Sequence, residues 1–404
     1  MATRGSMKVM DGAARQTCGR QGGLTLVELL VSLVVVGLLA TAIFSFFLNT
    51  SQSVSQQSGN GEMWQRGRNA LAIMRQAIES TGYGLPNYSQ CPNGVVGINN
   101  ASAQGGALVA ITASTQSSGS SYDPSSSSLG GISTYAFSTV IGGGSFGGAP
   151  ATTVNSQNGV NITVASTVPL NPGDLALIAP QGGGTCLLGQ ITNVAGKGSL
   201  NSSCSVAGNG NSNGAGTVVF NSGNHGSCFQ ANPNQLFSLL TGTGGTPSLT
   251  NAALYDLGSQ NFLFETFDIE ENPAGSTPTL YMTQYTGAQA VAPTPQPLAS
   301  GVVDIQMEYG LGSNGSVQQW VFPENYNPSP SATQSIVAVQ IAMLIRSTQY
   351  LPDSLSPTSF NLLGRTYTVP TSGGPGCLQG NCRHYEYHLF QSVIPVRNGI
   401  WGGE

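Results

Sequence analysis

Charge is what this sequence has least of. Only 7% of its 404 residues are Asp, Glu, Lys or Arg, where a typical soluble domain carries about 25%. Histidine occurs three times, which leaves little material for proton transfer near neutral pH. Phosphate-loop, CxxCH haem-attachment and EF-hand patterns are all missing. These gaps point away from an enzyme and from a bound cofactor or metal. The shortage of basic residues points away from a nucleic-acid surface, which needs Lys and Arg against phosphate. In their place stand 55 Gly and 22 Pro with runs of Ser, Asn and Thr, a composition expected of a strand- and loop-rich extracytoplasmic protein.

The few charges are unevenly placed. Ahead of Leu24 lie Arg4, Lys8, Arg15 and Arg20 against Asp11, a balance of +3; after it 8 basic residues face 16 acidic ones, a balance of −8. A basic flank before an apolar run predicts a cytoplasmic N-terminus and an exported remainder. That run, Leu24 to Leu48, holds 25 residues and one ionisable group, Glu28. As a helix it spans roughly 37 Å, enough to cross a bilayer with tilt. A secretory signal would be shorter and would carry its small residues after the apolar core; here Gly22 and Gly23 precede it. A carboxylate in such a helix needs a partner or a function, interfacial placement at headgroup level being the plain alternative.

Cys18 lies in the basic flank. The other cysteines, Cys91, Cys186, Cys204, Cys228, Cys377 and Cys382, are even in number and suit disulfides in an oxidising compartment. Six cysteines allow 15 connectivities. The pair favoured here is Cys377 with Cys382, close in sequence across Gly-rich turn material.

Beyond Leu48 a polar stretch, 49–61, leads to a helical pattern over 62–80 in which Trp64, Leu71, Met74 and Ile78 make an apolar stripe. Gly82 marks its end. The whole is expected to be one long helix, with Ser58 to Gly61 as the place for a bend or break. After Leu85 no long helical period returns. Short β-like runs at Thr134 to Val140, Leu175 to Ile178, Phe262 to Ile269, Thr279 to Tyr285, Val302 to Tyr309, Ile336 to Ile345 and Tyr385 to Val396 alternate with turn residues. Two tracts, Ser114 to Gly131 and Ser199 to Gly216, are expected to be surface loops. The fold class is therefore α+β, a long N-terminal helix packed on a large β-rich head over 85–404.

Two clusters invite metal readings. His384 and His388 follow Cys377 and Cys382, but on a strand two such histidines lie about 13 Å apart, so a disulfide with ordinary histidines is preferred over zinc. Asp268, Glu270 and Glu271 offer hard oxygen ligands for calcium; without an EF-hand spacing they read as a solvated turn. His225 sits in Gly/Asn/Ser-rich material without partners.

The stretch Gly23-Leu24-Thr25-Leu26-Val27-Glu28-Leu29-Leu30 resembles the processing site of type IV prepilins and pseudopilins. That resemblance implies a leader over 1–23 counted from Met1 (Met7 and Met10 offer shorter starts), cleavage by a prepilin peptidase between Gly23 and Leu24, and N-methylation of Leu24. Leu24 stands where phenylalanine is commoner. Glu28 takes the place of the family glutamate, which is implied to pair with the N-terminal amine of a neighbouring subunit. Gly67 to Ile78 closing on Gly82-Tyr83, Pro172 to Ile178, Leu298 to Gly310, Ile336 to Ser347 and Phe390 to Asn398 resemble segments of PilW-type minor pilins. The implied function is a minor pilin that helps start or cap a pilus at its tip, anchored in the inner membrane with a periplasmic head before assembly and surface-exposed afterwards. Its partners would be the peptidase and other minor and major pilins. A minor pseudopilin of a type II secretion system and a pilus-tip adhesin or binding module are the alternatives.

Overall fold

In the computed structural model the described residues are 25–86, 91, 95–97, 110–116, 133–144, 147–158, 161–201, 203–208, 216–220, 228, 249–271, 276–287, 291, 293–313, 315–326, 335–351, 356–371 and 381–397. The chain divides into two compact units, 1–57 and 58–404.

One helix, α1 (Leu26–Ser80), runs for 55 residues. Leu, Val, Ala and Phe dominate its first half, and no proline interrupts it. The expected break at Ser58 to Gly61 is absent, and these residues are helical. An isolated glycine or serine costs a helix about 1 kcal/mol or less, too little to stop a helix with stable turns on both sides. In the first unit the side chains of Leu26–Phe47 are all exposed.

In the second unit α1 buries one face: Met63, Gly67, Ala70, Met74, Ala77 and Ile78. The spacing is that of an amphipathic helix; Met74 and Ile78 lie in the buried face as expected, while Met63 and Ala70 take the places expected of Trp64 and Leu71. Trp64 remains 38% exposed, and Leu71 is half-buried at the margin. Small residues decide this. Gly67 and Ala70 let the helix approach the sheets closely, whereas Trp64 lies at the side, its ring 3.7 Å from that of His388 and 5.3 Å from that of Phe390. Met74 and Ile78 lose all solvent contact, worth about 1.5–3 kcal/mol each. The helix ends at Ser80 and the chain turns through Gly82 (φ +79), a conformation glycine adopts without strain. There the Gly82 N–H donates to Val140 C=O at 2.8 Å.

Strands make up the rest: β1 (Val95–Gly97), β2 (Ile111–Thr115), β3 (Tyr135–Ile141), β4 (Thr152–Asn158), β5 (Asn161–Val164), β6 (Leu175–Ala179), β7 (Cys186–Gln190), β8 (Asn193–Val194), β9 (Gly198–Leu200), β10 (Val206–Ala207), β11 (Thr217–Val219), β12 (Ala253–Gly258), β13 (Leu263–Glu270), β14 (Thr279–Thr286), β15 (Gln296–Ser300), β16 (Val302–Ser313), β17 (Ser316–Val321), β18 (Ser335–Arg346), β19 (Ser359–Leu362), β20 (Arg365–Thr368) and β21 (Tyr387–Pro395). A four-stranded antiparallel sheet, β17-β16-β18-β21, and a five-stranded one, β15-β14-β13-β3-β2, share their core with the buried face of α1. Here Phe390 lies over Gly67, and Phe137 stacks on Phe267 with centroids 4.6 Å apart. A ten-stranded sheet, β1-β7-β6-β12-β4-β5-β11-β8-β9-β10, has cores of its own around Leu177, Leu254 and Phe220. The hairpin β19–β20 covers part of the other face of the four-stranded sheet, burying Leu362 and Tyr367 against Leu344.

The Ser/Gly-rich tract 199–216 is not only loop. It contributes β10 and most of β9, Leu200 is buried, and Asn201 ties its neighbours together by accepting from the N–H of Ser203 and of Ser205. In the other tract, β2 reaches Thr115 and 117–131 lie outside the described residues.

Candidate functional site

The residues with the strongest chemical signal stand where α1 begins. Thr25 precedes the first helical residue, and Glu28 lies three residues on. The Thr25 N–H and hydroxyl both donate to Glu28 Oε2 at 3.3 Å, while the Glu28 N–H donates to Thr25 Oγ1 at 3.3 Å. This reciprocal arrangement is a capping box. It satisfies helix donors that otherwise have no acceptor, and it holds the carboxylate at the positive end of the helix dipole. The signature Thr25-x-x-Glu28 is readable in the sequence. Both bonds fall on Oε2. Among the described residues Oε1 takes none, so the carboxylate keeps an acceptor for a second donor. Gly23 and Leu24 lie outside the described residues.

Downstream, the polar side chains turn back on the helix. Ser32 Oγ donates to Leu29 C=O at 2.9 Å, Thr41 Oγ1 to Gly37 C=O at 2.8 Å and Ser45 Oγ to Ala42 C=O at 2.9 Å. With its hydroxyls satisfied internally, Leu26–Phe47 is apolar on every side apart from Glu28 and is long enough to cross a bilayer. A helix of this kind demands a lipid or protein environment over its whole circumference.

The other clusters resolve into structural roles. Cys91 bonds Cys186, and Cys204 bonds Cys228. Cys382 is disulfide-bonded too, while Cys377 lies outside the described residues. His384 falls in a short 3-10 turn (Cys382–His384) rather than on the expected strand; its Nδ1 is 3.0 Å from Leu351 C=O. His388, on β21, packs on Trp64, and burial lowers its pKa. The two histidines thus serve different surroundings. Asp268 and Glu270 do not sit in a solvated turn: both lie half-buried on β13, and Glu271 just beyond is buried. Burial, with Glu270 beside it, pushes the Asp268 carboxyl up to about 7. Among the described residues no group of three or more His, Cys, Asp or Glu is placed to hold a metal ion. His225 lies outside the described residues.

Two family models match. Residues 18–44 fit the prokaryotic N-terminal methylation motif, and residues 266–398 fit the type IV pilus-assembly protein W family, PilW. The chain is type IV prepilin-like at its start and resembles PilW-type proteins over its last third. Its methylation motif contains Thr25, Glu28 and most of the apolar helix; its PilW region contains most of β13 and all of β14–β21, and so the whole of the four-stranded sheet. The ten-stranded sheet lies outside both matched regions. A solved type IV-like pilin from Thermus thermophilus aligns at 16% identity over 35% of this chain and 70% of its own length, with a TM-score of 0.20. No curated protein matches the sequence. PilW and pilin domains are structural, and the apolar helix together with the methylation motif marks a membrane-anchored start.

Proposed function

We propose that this chain is a minor type IV pilin, processed by a prepilin peptidase between Gly23 and Leu24 and methylated at Leu24, which helps to initiate or cap a pilus at its tip. The observation that carries the reading is the placement of Glu28: one carboxylate, held by Thr25 with one oxygen left over, at the head of an otherwise apolar helix inside a methylation motif. In an apolar surrounding such a group is stable when a cation supplies its missing partner. The free amine created by cleavage after Gly23 in a neighbouring subunit is a cation of the right kind. A helix with an apolar exterior leaves the bilayer favourably only into a bundle of similar helices, which a pilus core provides. The chain acts as a structural subunit rather than an enzyme. Its N-terminus is cytoplasmic and its head periplasmic before assembly, and its partners are the peptidase and other minor and major pilins.

Deletion of the gene, with pili counted by electron microscopy, tests the reading. Loss or sharp reduction of pili, restored by the wild-type gene, is expected. Unchanged piliation would overturn the initiating role.

A further inference from the structure

We propose that Lys197 and Asn171 are joined after folding by an amide bond, formed between Lys197 Nζ and Asn171 Cγ with loss of ammonia. Beyond Leu24 the sequence holds seven arginines and one lysine, Lys197. An amine is a nucleophile once its proton is gone, whereas a guanidinium stays charged. Lys197 stands in the turn between β8 and β9, where its N–H donates to Val194 C=O at 3.0 Å. Its side chain reaches back to the loop between β5 and β6. There Nζ donates to Val168 C=O at 2.6 Å and to Leu170 C=O at 2.9 Å, and it lies 3.5 Å from Asn171 Oδ1. For holding the two carbonyls alone, arginine, used at every other basic position after Leu24, would serve as well.

The far side of the Asn171 amide meets an acid. The Asn171 N–H donates to Asp174 Oδ2 at 2.7 Å, and the Asn171 side chain is hydrogen-bonded to the same carboxyl. That second bond favours the ionised carboxyl, so its donor is Asn171 Nδ2. Asp174 is buried, and this burial, followed by the charge of Asp256, pushes its carboxyl up to about 6. Such a group still carries its proton in about one molecule in ten near neutral pH. Amine, amide and carboxyl therefore stand in a row, with the amine at the carbonyl oxygen and the acid at the nitrogen that has to leave.

The step balances without a co-reactant. Nζ, free of its ammonium proton, attacks Asn171 Cγ, and the carbonyl electron pair moves onto Oδ1. Collapse of this intermediate breaks the Cγ–Nδ2 bond. Asp174 gives its proton to Nδ2, which departs as ammonia into solvent, since Asn171 and Lys197 are both exposed; the second proton lost by Nζ restores the carboxyl. Near neutral pH about one lysine amine in a thousand is free of its proton. Fixed contact between reactants offsets that loss, being equivalent to a concentration of about 10⁵–10⁸ M, and a positioned acid adds about 10²–10⁴. The bond has to form only once in the life of a chain. It ties the β5–β6 loop to the β8–β9 hairpin across a sequence separation of 26, within the ten-stranded sheet. Unlike Cys204–Cys228, it survives reduction.

The test is the intact mass of the full-length chain, purified in detergent and fully reduced. The wild type is expected about 17 Da, one ammonia, below the mass calculated from its sequence. Lys197→Arg and Asn171→Ala should each match their own calculated mass, with circular dichroism checking that both are folded. Trypsin cuts this part of the chain after Arg75, Lys197 and Arg346. An amide on Lys197 blocks the middle cut, so digestion of the denatured wild type should leave residues 76–346 in one piece. Asp174→Asn should gain the bond at least about tenfold more slowly after synthesis. A wild type at its calculated mass, cut by trypsin after Lys197, overturns the proposal. So does a deficit that persists in Lys197→Arg, which would place the lost ammonia elsewhere, and an Asp174→Asn chain that reacts as fast as wild type removes Asp174 as the acid.

Discussion

Gly67 of α1 lies directly beneath the ring of Phe390: a Cβ added at Gly67 would stand 2.2 Å from Phe390 Cε2. This contact joins the helix to β21 and sets how closely the two approach. Gly67→Ala should therefore destabilise the head by about 1–3 kcal/mol through overpacking, even though alanine favours a helix by about 1 kcal/mol. Denaturant unfolding of the purified chain measures it. Adding Phe390→Leu should recover part of the loss, the double-mutant signature of direct contact.

Met74, with no solvent exposure, belongs to the core shared by α1 and two sheets. Met74→Ala should cost about 2–5 kcal/mol. Trp64→Ala, at the exposed margin, should cost distinctly less, and the ordering of the two unfolding midpoints checks where the helix face lies.

Asp304 is wholly buried on β16. Its Oδ1 accepts from Gln306 Nε2 at 2.9 Å, and burial pushes its carboxyl up to about 7. In the unfolded chain the same group titrates near 4. Between these values the folded state binds the extra proton, so stability should fall as pH rises from about 4 to about 7 and level off above. Asp304→Asn should remove one proton's worth of that slope and stabilise the head at pH 7 relative to wild type. Thermal unfolding across the pH range reports both; an unchanged slope would refute the assignment.

Glu28 has a capping role within its own helix and, on the proposed function, a charge role between subunits. Glu28→Gln keeps an acceptor for Thr25 but removes the charge, so the variant should be processed normally and enter pili poorly. Glu28→Val removes both. If Glu28→Gln enters pili as well as wild type, capping alone accounts for the residue. Gly23→Leu should leave the leader attached, and a mature mass identical to wild type by mass spectrometry would rule out the cleavage site.

Much of this was legible because the strongest physical signals are local. An apolar run of 25 residues with one carboxylate has few destinations, and the long strands β13, β14, β16, β18 and β21 announce themselves through Val, Ile, Leu and aromatic residues. What stayed hidden depends on partners distant in sequence. β4, Thr152–Asn158, offers one large apolar residue, Val154, and is a strand because β5 and β12 pair with it. β7 and β12 are short and interrupted by Gly189 and Asp256. In the buried face of α1, Met74 and Ile78 were legible, whereas Gly67 and Ala70 were passed over because they carry little hydrophobic signal, although their smallness makes them the contact points. Asp268 and Glu270 looked like turn residues, since nothing in their spacing reveals that β14 pairs with them. The pairings of Cys91 with Cys186 and Cys204 with Cys228 likewise follow from topology rather than spacing.

The Cys91–Cys186 bond closes a loop of 95 residues in the part of the chain proposed to face the outside. A protease that cuts once anywhere in that span leaves both fragments covalently tethered. Such a nicked head would run as one species until reduced, and a cell shedding digestive enzymes around its own surface would keep the subunit in place after the damage.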